Sequence, residues 1–482
     1  MSVNIDVMNT TVRIYPYKLG DYPEMERKLS IYDKITFSFN TVYQYDKENE
    51  TIIIPRGISI SALEKHFNVY ANIIRTSDDC KRSVIKLKMP PRDEKQVEAI
   101  NFLLGKENYE DIRRYSRLLL ELDTGVGKTY CTIATICYMK VKAGIILNSN
   151  DLIDQWKEKI LEYTNLTEKE IFVVSGINSI KKILNGKTDK HKIYLISHRT
   201  IGTYGKNEGW DKVTELFQRM EIGLKIFDEA HKELLNTINI DMFTNTRRTV
   251  YLTATAERTN YAENKLYANI YGPVPALSFK RNKQEAYVNS IILKYDSNPN
   301  VFDRNKMVNR MGMNGNLYMK YEVFGNGREK FYRCLYTILN TIKSKEYGKI
   351  AILVLRIDAA NDVVRFIQNN YPEFKDDIGL FTSEIKDKKE KEKQKEKRII
   401  VTTSKSFGTG LDVAGLRYLV MAEPYSSKVT LKQVVGRLRN IGGELYYFEI
   451  VDVGVRNRLN QFNSIKKDLL KLSKKCTEFS VQ

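Results

Sequence analysis

Short apolar runs recur through most of this chain, each separated from the next by an amphipathic stretch. They fall at residues 118–122, 144–147, 172–174, 193–196, 225–227 and 250–252, and again at 350–355, 399–402 and 418–421. Runs this short and continuously apolar suit strands buried on both faces. The intervening stretches suit the helices that cover them, so the pattern predicts an α/β architecture built on parallel sheets. At 482 residues the chain is too long for one hydrophobic core, and the two series of runs predict two parallel-sheet domains in tandem. The first spans 89–276 and the second 277–460. A small β-rich domain at 1–88 precedes them, and a basic helix or tail at 461–482 follows.

The N-terminal segment reads as strands over 35–39 and 42–45, a turn at 46–50, a return strand over 51–55, and a helix over 61–72 with Leu63, Phe67 and Tyr70 on one side. Lys88-Met-Pro-Pro-Arg92 marks its boundary. Residues 297–329 lack periodicity and read as an insertion or mobile loop. There Phe302, Tyr318, Tyr321 and Phe324 stand beside Arg304, Lys306, Arg310 and Lys320. Aromatics among cations can stack bases, although a surface loop with a few packed aromatics is the plainer reading. The mixed-charge run over 386–398 reads as a solvated helix.

Two of the apolar runs end in residues that carry chemistry. The first leads into Leu122-Asp-Thr-Gly-Val-Gly-Lys-Thr129 and then a helical stretch. Glycines there let backbone N–H groups at a helix N-terminus wrap a phosphate chain, so Thr124, Gly125, Val126 and Gly127 form the predicted cradle. Lys128 can reach the β- and γ-phosphates of a nucleotide, and the Thr129 hydroxyl can ligate Mg²⁺. Leu122 occupies the position where the strict phosphate-loop pattern has its first glycine. The second run leads into Ile226-Phe-Asp-Glu-Ala-His231. Carboxylates at the C-terminal end of a parallel strand lie where open sheets place their ligands. Asp228 is expected to hold Mg²⁺ and Glu229 to orient and deprotonate a water.

A formal net charge of +19 favours polyanionic partners. Residues 1–88 carry 13 Lys and Arg against 11 Asp and Glu, so most of the excess lies downstream. The five cysteines (Cys80, Cys131, Cys137, Cys334, Cys476) show no zinc spacing. No apolar run is long enough for a membrane span, and no signal peptide is evident, so a cytoplasmic protein without a membrane partner is expected.

The order of motifs resembles that of DEAH-type superfamily 2 helicases over about residues 90–455. Asp-Glu-Ala-His231 carries the resemblance together with Leu252-Thr-Ala-Thr255, the stretch 147–156 and Ile196-Ser-His-Arg199. Ser406-Phe-Gly-Thr-Gly-Leu-Asp-Val413 and Gln433-Val-Val-Gly-Arg-Leu-Arg439 complete it. The phosphate-loop wording and the Thr-Ala-Thr-Ala-Glu-Arg258 run look most like the phage UvsW, XPB and poxvirus transcript-release group. The resemblance implies two RecA-like domains, ATP and Mg²⁺ as cofactors, and a nucleic-acid partner. DNA is favoured and RNA is the alternative. It implies adenine contacts from Arg92 and Gln96, and nucleotide contacts from Gly410, Asp412 and Arg439. Gln433 and Arg437 are implied as catalytic, with Arg437 as an arginine finger closing on a nucleotide between the domains. His231, Thr253 and Thr255 are implied to couple hydrolysis to motion. Asn150, Gln155, Ser197, His198, Arg199, Arg356, Thr403 and Ser404 are implied to grip the strand. Asn440 stands where the family commonly has a second motif VI arginine. The function implied is an ATP-dependent helicase or translocase on branched or duplex DNA, monomeric, in the host cytoplasm if phage or viral. An RNA-directed or transcript-release motor and a translocating subunit of a restriction or repair assembly are the alternatives.

Overall fold

A computed structural model describes residues 2–33, 37–74, 77–122, 126–186, 190–230, 232–253, 261–279, 286–309, 312–345, 347–408, 413–439 and 442–482. The described residues pack as two units, one ending at residue 279 and the other beginning at residue 286.

The first unit is built on a seven-stranded sheet in the order Ile171–Val174, Ile193–Ser197, Ala143–Leu147, Leu224–Phe227, Arg248–Thr253, Arg117–Leu122, Ala276–Phe279. Every pairing is parallel. All six strands predicted for this region form, within two residues of their expected ends. The sheet needs helices on both faces because its central strands are covered throughout; Ala143–Leu147 and Leu224–Phe227 are buried at every position, Lys225 included, which pairs with Asp241 at 2.8 Å. The unpredicted seventh strand, Ala276–Phe279, is an edge strand with alternating exposure, so it lacks the continuous apolar signature.

The N-terminal residues form a five-stranded sheet ordered Gln44–Asp46, Thr51–Pro55, Thr11–Tyr15, Asn4–Val7, Asn72–Ile73. Its inner face is not a separate core. Ile5, Val12, Ile14, Ile52 and Leu63 pack in one cluster with Leu119, Phe227, Tyr251 and Ile270 of the larger sheet and its helices. Gly57 makes this approach: its φ is +140°, and a Cβ there would lie 2.3 Å from the Ile270 carbonyl oxygen. The helix expected over 61–72 runs only over Ile60–Phe67, because Asn68 turns left-handed (φ 54°) and caps it. Tyr70 is 96% exposed and belongs to no apolar face.

The second unit repeats the plan with a parallel seven-stranded sheet ordered Ile378–Phe381, Ile399–Thr403, Lys349–Val354, Leu416–Met421, Leu445–Asp452, Val288–Tyr295, Ser473–Ser480. The predicted tail is thereby part of this sheet. Helix Arg456–Leu472 buries Phe462, Ile465 and Leu469, and Ser473–Ser480 forms the last strand. The aperiodic stretch is also ordered where described. Asn300 caps helix Val301–Lys306, and Asn314 caps helix Gly315–Phe324. Tyr318 and Tyr321 are buried within it, so neither can stack a base; Phe302 is exposed under Lys306, whose Nζ lies 4.0 Å from the ring centroid. Arg310 lies outside the described residues. The charged run forms helix Lys388–Glu396, as expected.

Candidate functional site

The strand Arg117–Leu122 ends at the phosphate-loop sequence. Thr124 and Gly125 lie outside the described residues. Gly127 has φ +103° and leads directly into helix Lys128–Met139. The left-handed turn favours glycine, and a Cβ on Gly127 would lie 2.4 Å from Gln96 Nε2 and displace that amide. Gln96 is buried at the start of helix Glu94–Leu104, with its N–H held by the Asp93 cap at 3.0 Å. Its Nε2 donates to the Val126 carbonyl at 3.0 Å, and its Oε1 accepts from Arg92 N at 2.9 Å. Arg92 Nη2 donates to the same Val126 carbonyl at 3.4 Å. The pair expected to read a base therefore also braces the loop. Lys128 Nζ donates back to the Leu122 carbonyl, across the turn it follows. Thr129 sits half-buried in the first turn of the helix.

Asp228 and Glu229 follow the buried strand Leu224–Phe227. The Asp228 N–H donates to the Ile146 carbonyl at 3.1 Å, which carries the sheet one residue past the strand. Trp156 Nε1 donates to Asp228 Oδ2 at 2.8 Å, and Glu229 N donates to Oδ1 at 3.0 Å. Burial pushes the Asp228 carboxyl up to about 6, and neighbouring Glu229 adds to the rise; the Trp156 N–H and the Lys128 charge oppose it. Glu229 adopts φ 52°, a conformation that costs about 1 kcal/mol or more outside glycine. The next residue, Ala230, donates its N–H to the Leu252 carbonyl at 2.9 Å. That bond ties the acidic turn to the strand ending at Thr253, which is buried. His231 and Thr255 lie outside the described residues. Sequence reasoning misses Trp156 as the partner of Asp228, because the two are far apart in the chain and no local pattern links them.

Asn150, Gln155, Ser197 and Arg199 follow the C-terminal ends of Ala143–Leu147 and Ile193–Ser197, which pair in register with Ser197 opposite Leu147. They therefore share the sheet edge that carries the phosphate loop. Asn150 and Arg199 are exposed, Gln155 is half-buried, and the Ser197 hydroxyl accepts from Thr200 N at 3.4 Å as a helix cap. His198 corrects its expectation. It is 3% exposed with Nε2 3.1 Å from Thr237 Oγ1, and burial pushes its pKa down to about 4, so it is a neutral core residue that cannot reach a strand.

In the second unit, Arg356 Nε donates to Asp358 Oδ1 at 2.8 Å at the start of helix Ile357–Asn370. Thr403 is buried, its hydroxyl donating to Ser406 Oγ at 3.1 Å, so it caps the following turn instead of facing a ligand. Ser404 is half-buried and begins the short helix Ser404–Gly408. Gln433 lies half-buried in helix Lys428–Val435, Arg437 half-buried just beyond it, and Arg439 exposed. Gly410 and Asp412 lie outside the described residues.

Residues 88–258 match the family model of the type III restriction enzyme res subunit. The DNA 3'-5' translocase XPB2 of Sulfurisphaera tokodaii is 29% identical over 48% of this chain and 44% of its own length. The transcript termination protein A18 of Yaba-like disease virus is 25% identical over 70% of this chain and 67% of its own. Over these spans the chain is similar to proteins named for translocase and transcript-termination roles and to a restriction-enzyme subunit family. It spans less than half the length of the archaeal relative. The structure of the DEAD-box helicase Mss116 bound to ssRNA and UDP-BeF aligns over 82% of this chain and 76% of its own, with TM-score 0.57 and 16% identity, a likeness of fold. The family model takes in both the glycine-rich turn before Lys128 and the acidic turn at Asp228.

Proposed function

We propose that this chain is an ATP-driven motor on nucleic acid, a helicase or translocase acting on branched or duplex DNA. The observation that carries the proposal is the junction at the C-terminal edge of the first sheet. There a helix N-terminus beginning at Lys128 and the half-buried Asp228 follow the C-terminal ends of two strands that flank Arg248–Thr253 in the same parallel sheet. A helix N-terminus preceded by a left-handed glycine suits a phosphate chain. A carboxylate that keeps a lone pair on each oxygen, with the Thr129 hydroxyl at the loop, suits Mg²⁺, which binds through one or two protein ligands, phosphates and water. Mg²⁺ held by Asp228 and Thr129 would supply charge neutralisation at the phosphates. Lys128 would draw charge from the β- and γ-phosphate oxygens, and Glu229 would align a water and take its proton. Arg92 and Gln96 would hold the loop and the base, and Gln433, Arg437 and Arg439 would act on the phosphates as their motif implies. Asn150, Gln155, Ser197, Arg199 and Arg356 would meet the strand backbone. The names of the archaeal and restriction-enzyme relatives support DNA.

The transcript-release reading is favoured by one observation: the viral relative of that name matches over 70% of this chain. ATPase assays with single-stranded, forked and duplex DNA and with RNA of the same sequence, at fixed salt, separate the two. Stimulation by DNA, strongest on forked substrates, is expected. Equal turnover with and without every polynucleotide overturns the motor reading, and stimulation by RNA alone overturns the DNA assignment.

A further inference from the structure

The edge of the first sheet opposite the phosphate loop carries a second charged feature. A cleft of about 1400 Å³ opens there, where the N-terminal sheet meets the beginnings of the larger sheet's strands. Arg117 and Arg248 are the first residues of their strands, and Pro275 immediately precedes a third. The six-residue strand Arg117–Leu122 separates this edge from the phosphate loop by about 17 Å.

Arg56, Arg113, Arg114, Arg117, Arg247 and Arg248 line the cleft, and no Asp or Glu among the described residues does. Arginines are ordinarily balanced when gathered this closely, and here they are not. Arg117 is 8% exposed, yet its buried Nη1 meets no hydrogen-bond partner among the described residues. A buried guanidinium N–H left unmatched is costly unless an acceptor arrives. Burial disfavours the charge of Arg56, and the Arg117 charge beside it disfavours it further. Arg248 and Arg113 spend donors only on main-chain carbonyls, Leu103 at 2.7 Å and Gly105 at 2.7 Å. These bonds fix the guanidiniums without neutralising them.

Two aromatic rings stand among the cations. The Arg114 guanidinium lies 5.1 Å over the Tyr115 ring, and Lys106 Nζ lies 5.6 Å over the Tyr138 ring. Tyr115 is 36% and Tyr138 47% exposed, so both rings present surface to the cleft. Cations that follow a backbone, interleaved with aromatic faces, are what a single strand of nucleic acid requires. The cleft exceeds the range of about 300–1,000 Å³ usual for small ligands.

We propose that this cleft is a second nucleic-acid site, which takes the phosphate backbone of a single strand at the edge of the first sheet remote from the phosphate loop. That the polyanion is nucleic acid rests on the motor reading; the unbalanced arginines stand without it. Its occupant would be a strand separated from, or not yet admitted to, the surface carrying Asn150 and Arg199.

The test uses the full chain and fluorescein-labelled oligo(dT), with binding followed by anisotropy across a salt series without ATP. Arg114→Glu/Arg247→Glu changes two exposed residues that the proposed chemistry does not use. It should weaken binding about tenfold or more and flatten the salt dependence by about 0.7 in slope for each phosphate that is no longer neutralised. Lys389→Glu/Lys393→Glu makes the same change of net charge on the second unit and should leave both quantities near wild type. ATPase activity without nucleic acid should be the same in all three proteins. Thio-thymidine in the oligonucleotide should photo-crosslink to the Tyr115 or Tyr138 peptide of the wild-type chain, a readout that needs no variant to fold. If wild type binds but neither variant differs from it and no crosslink reaches those peptides, the second site does not exist and the motor reading stands. If wild type binds no polynucleotide at all, the motor reading fails first.

Discussion

Asp228 and Glu229 differ by one position and by environment. Asp228 is half-buried and accepts N–H bonds from Trp156 and Glu229, whereas Glu229 itself takes a left-handed backbone. This division matches a metal-holding carboxylate beside a base. Glu229→Gln keeps size and turn but removes the base, so turnover should fall by about 10²–10⁴ while nucleic-acid binding is retained. ATPase kinetics and anisotropy on the same preparation check it, and wild-type turnover would remove Glu229 from the chemistry. His198 shows the opposite outcome at the same scale. The motif placed it on the strand-gripping surface, and burial made it part of the core. Its folded pKa of about 4 lies below the ordinary 6.5, so its contribution to stability is complete above about pH 6.5 and is lost as pH falls through about 4. Up to about 3 kcal/mol is at stake. Denaturation midpoints at about pH 7 and about pH 5 should differ more for wild type than for His198→Asn.

At the scale of elements, six of the first sheet's seven strands and three of the second's seven were legible as continuous apolar runs; the inner strands Val288–Tyr295 and Leu445–Asp452 were not, because Asn289, Ser290, Glu449 and Asp452 interrupt theirs. Alternating edge strands such as Ala276–Phe279 leave none, and the strand Ser473–Ser480, with mostly polar and charged residues, resembles a tail. Helix ends followed local chemistry where it was read: Asn68, not the apolar spacing to Tyr70, ended Ile60–Phe67. The turn at Gly57 joins two elements that sequence does not connect. Valine there would meet both the positive φ and the Ile270 carbonyl, and should destabilise the first unit by about 1–3 kcal/mol or more. A lowered thermal midpoint with unchanged sheet content checks this, and an unchanged midpoint would mean that the N-terminal sheet does not pack on that helix.

At the scale of the whole molecule, each unit is organised around a sheet and each buries an ion pair, Lys225 with Asp241 in the first and Arg458 with Glu449 in the second. Arg458 is 1% exposed, donating to Glu449 Oε1 at 2.6 Å and to the Ile450 carbonyl at 2.8 Å. Tyr425 and Tyr447 donate to the same carboxylate. Arg458→Leu would leave Glu449 buried without its counter-ion, at a cost of about 3–5 kcal/mol. Pairing it with Glu449→Leu should recover much of that loss in chemical denaturation, and no recovery would show that the pair is not coupled. The sequence by itself determined that the fold rests on two parallel sheets, and that strands lead into a glycine turn before Lys128 and an acidic turn at Asp228, because strand burial and turn chemistry both act on contiguous residues. Only the tertiary structure decided that Trp156 holds Asp228, that His198, Tyr318 and Thr403 are turned inward, and that six arginines from separate segments meet in one cleft. Those outcomes depend on which distant surfaces exclude water from one another, and no window of neighbouring residues records that.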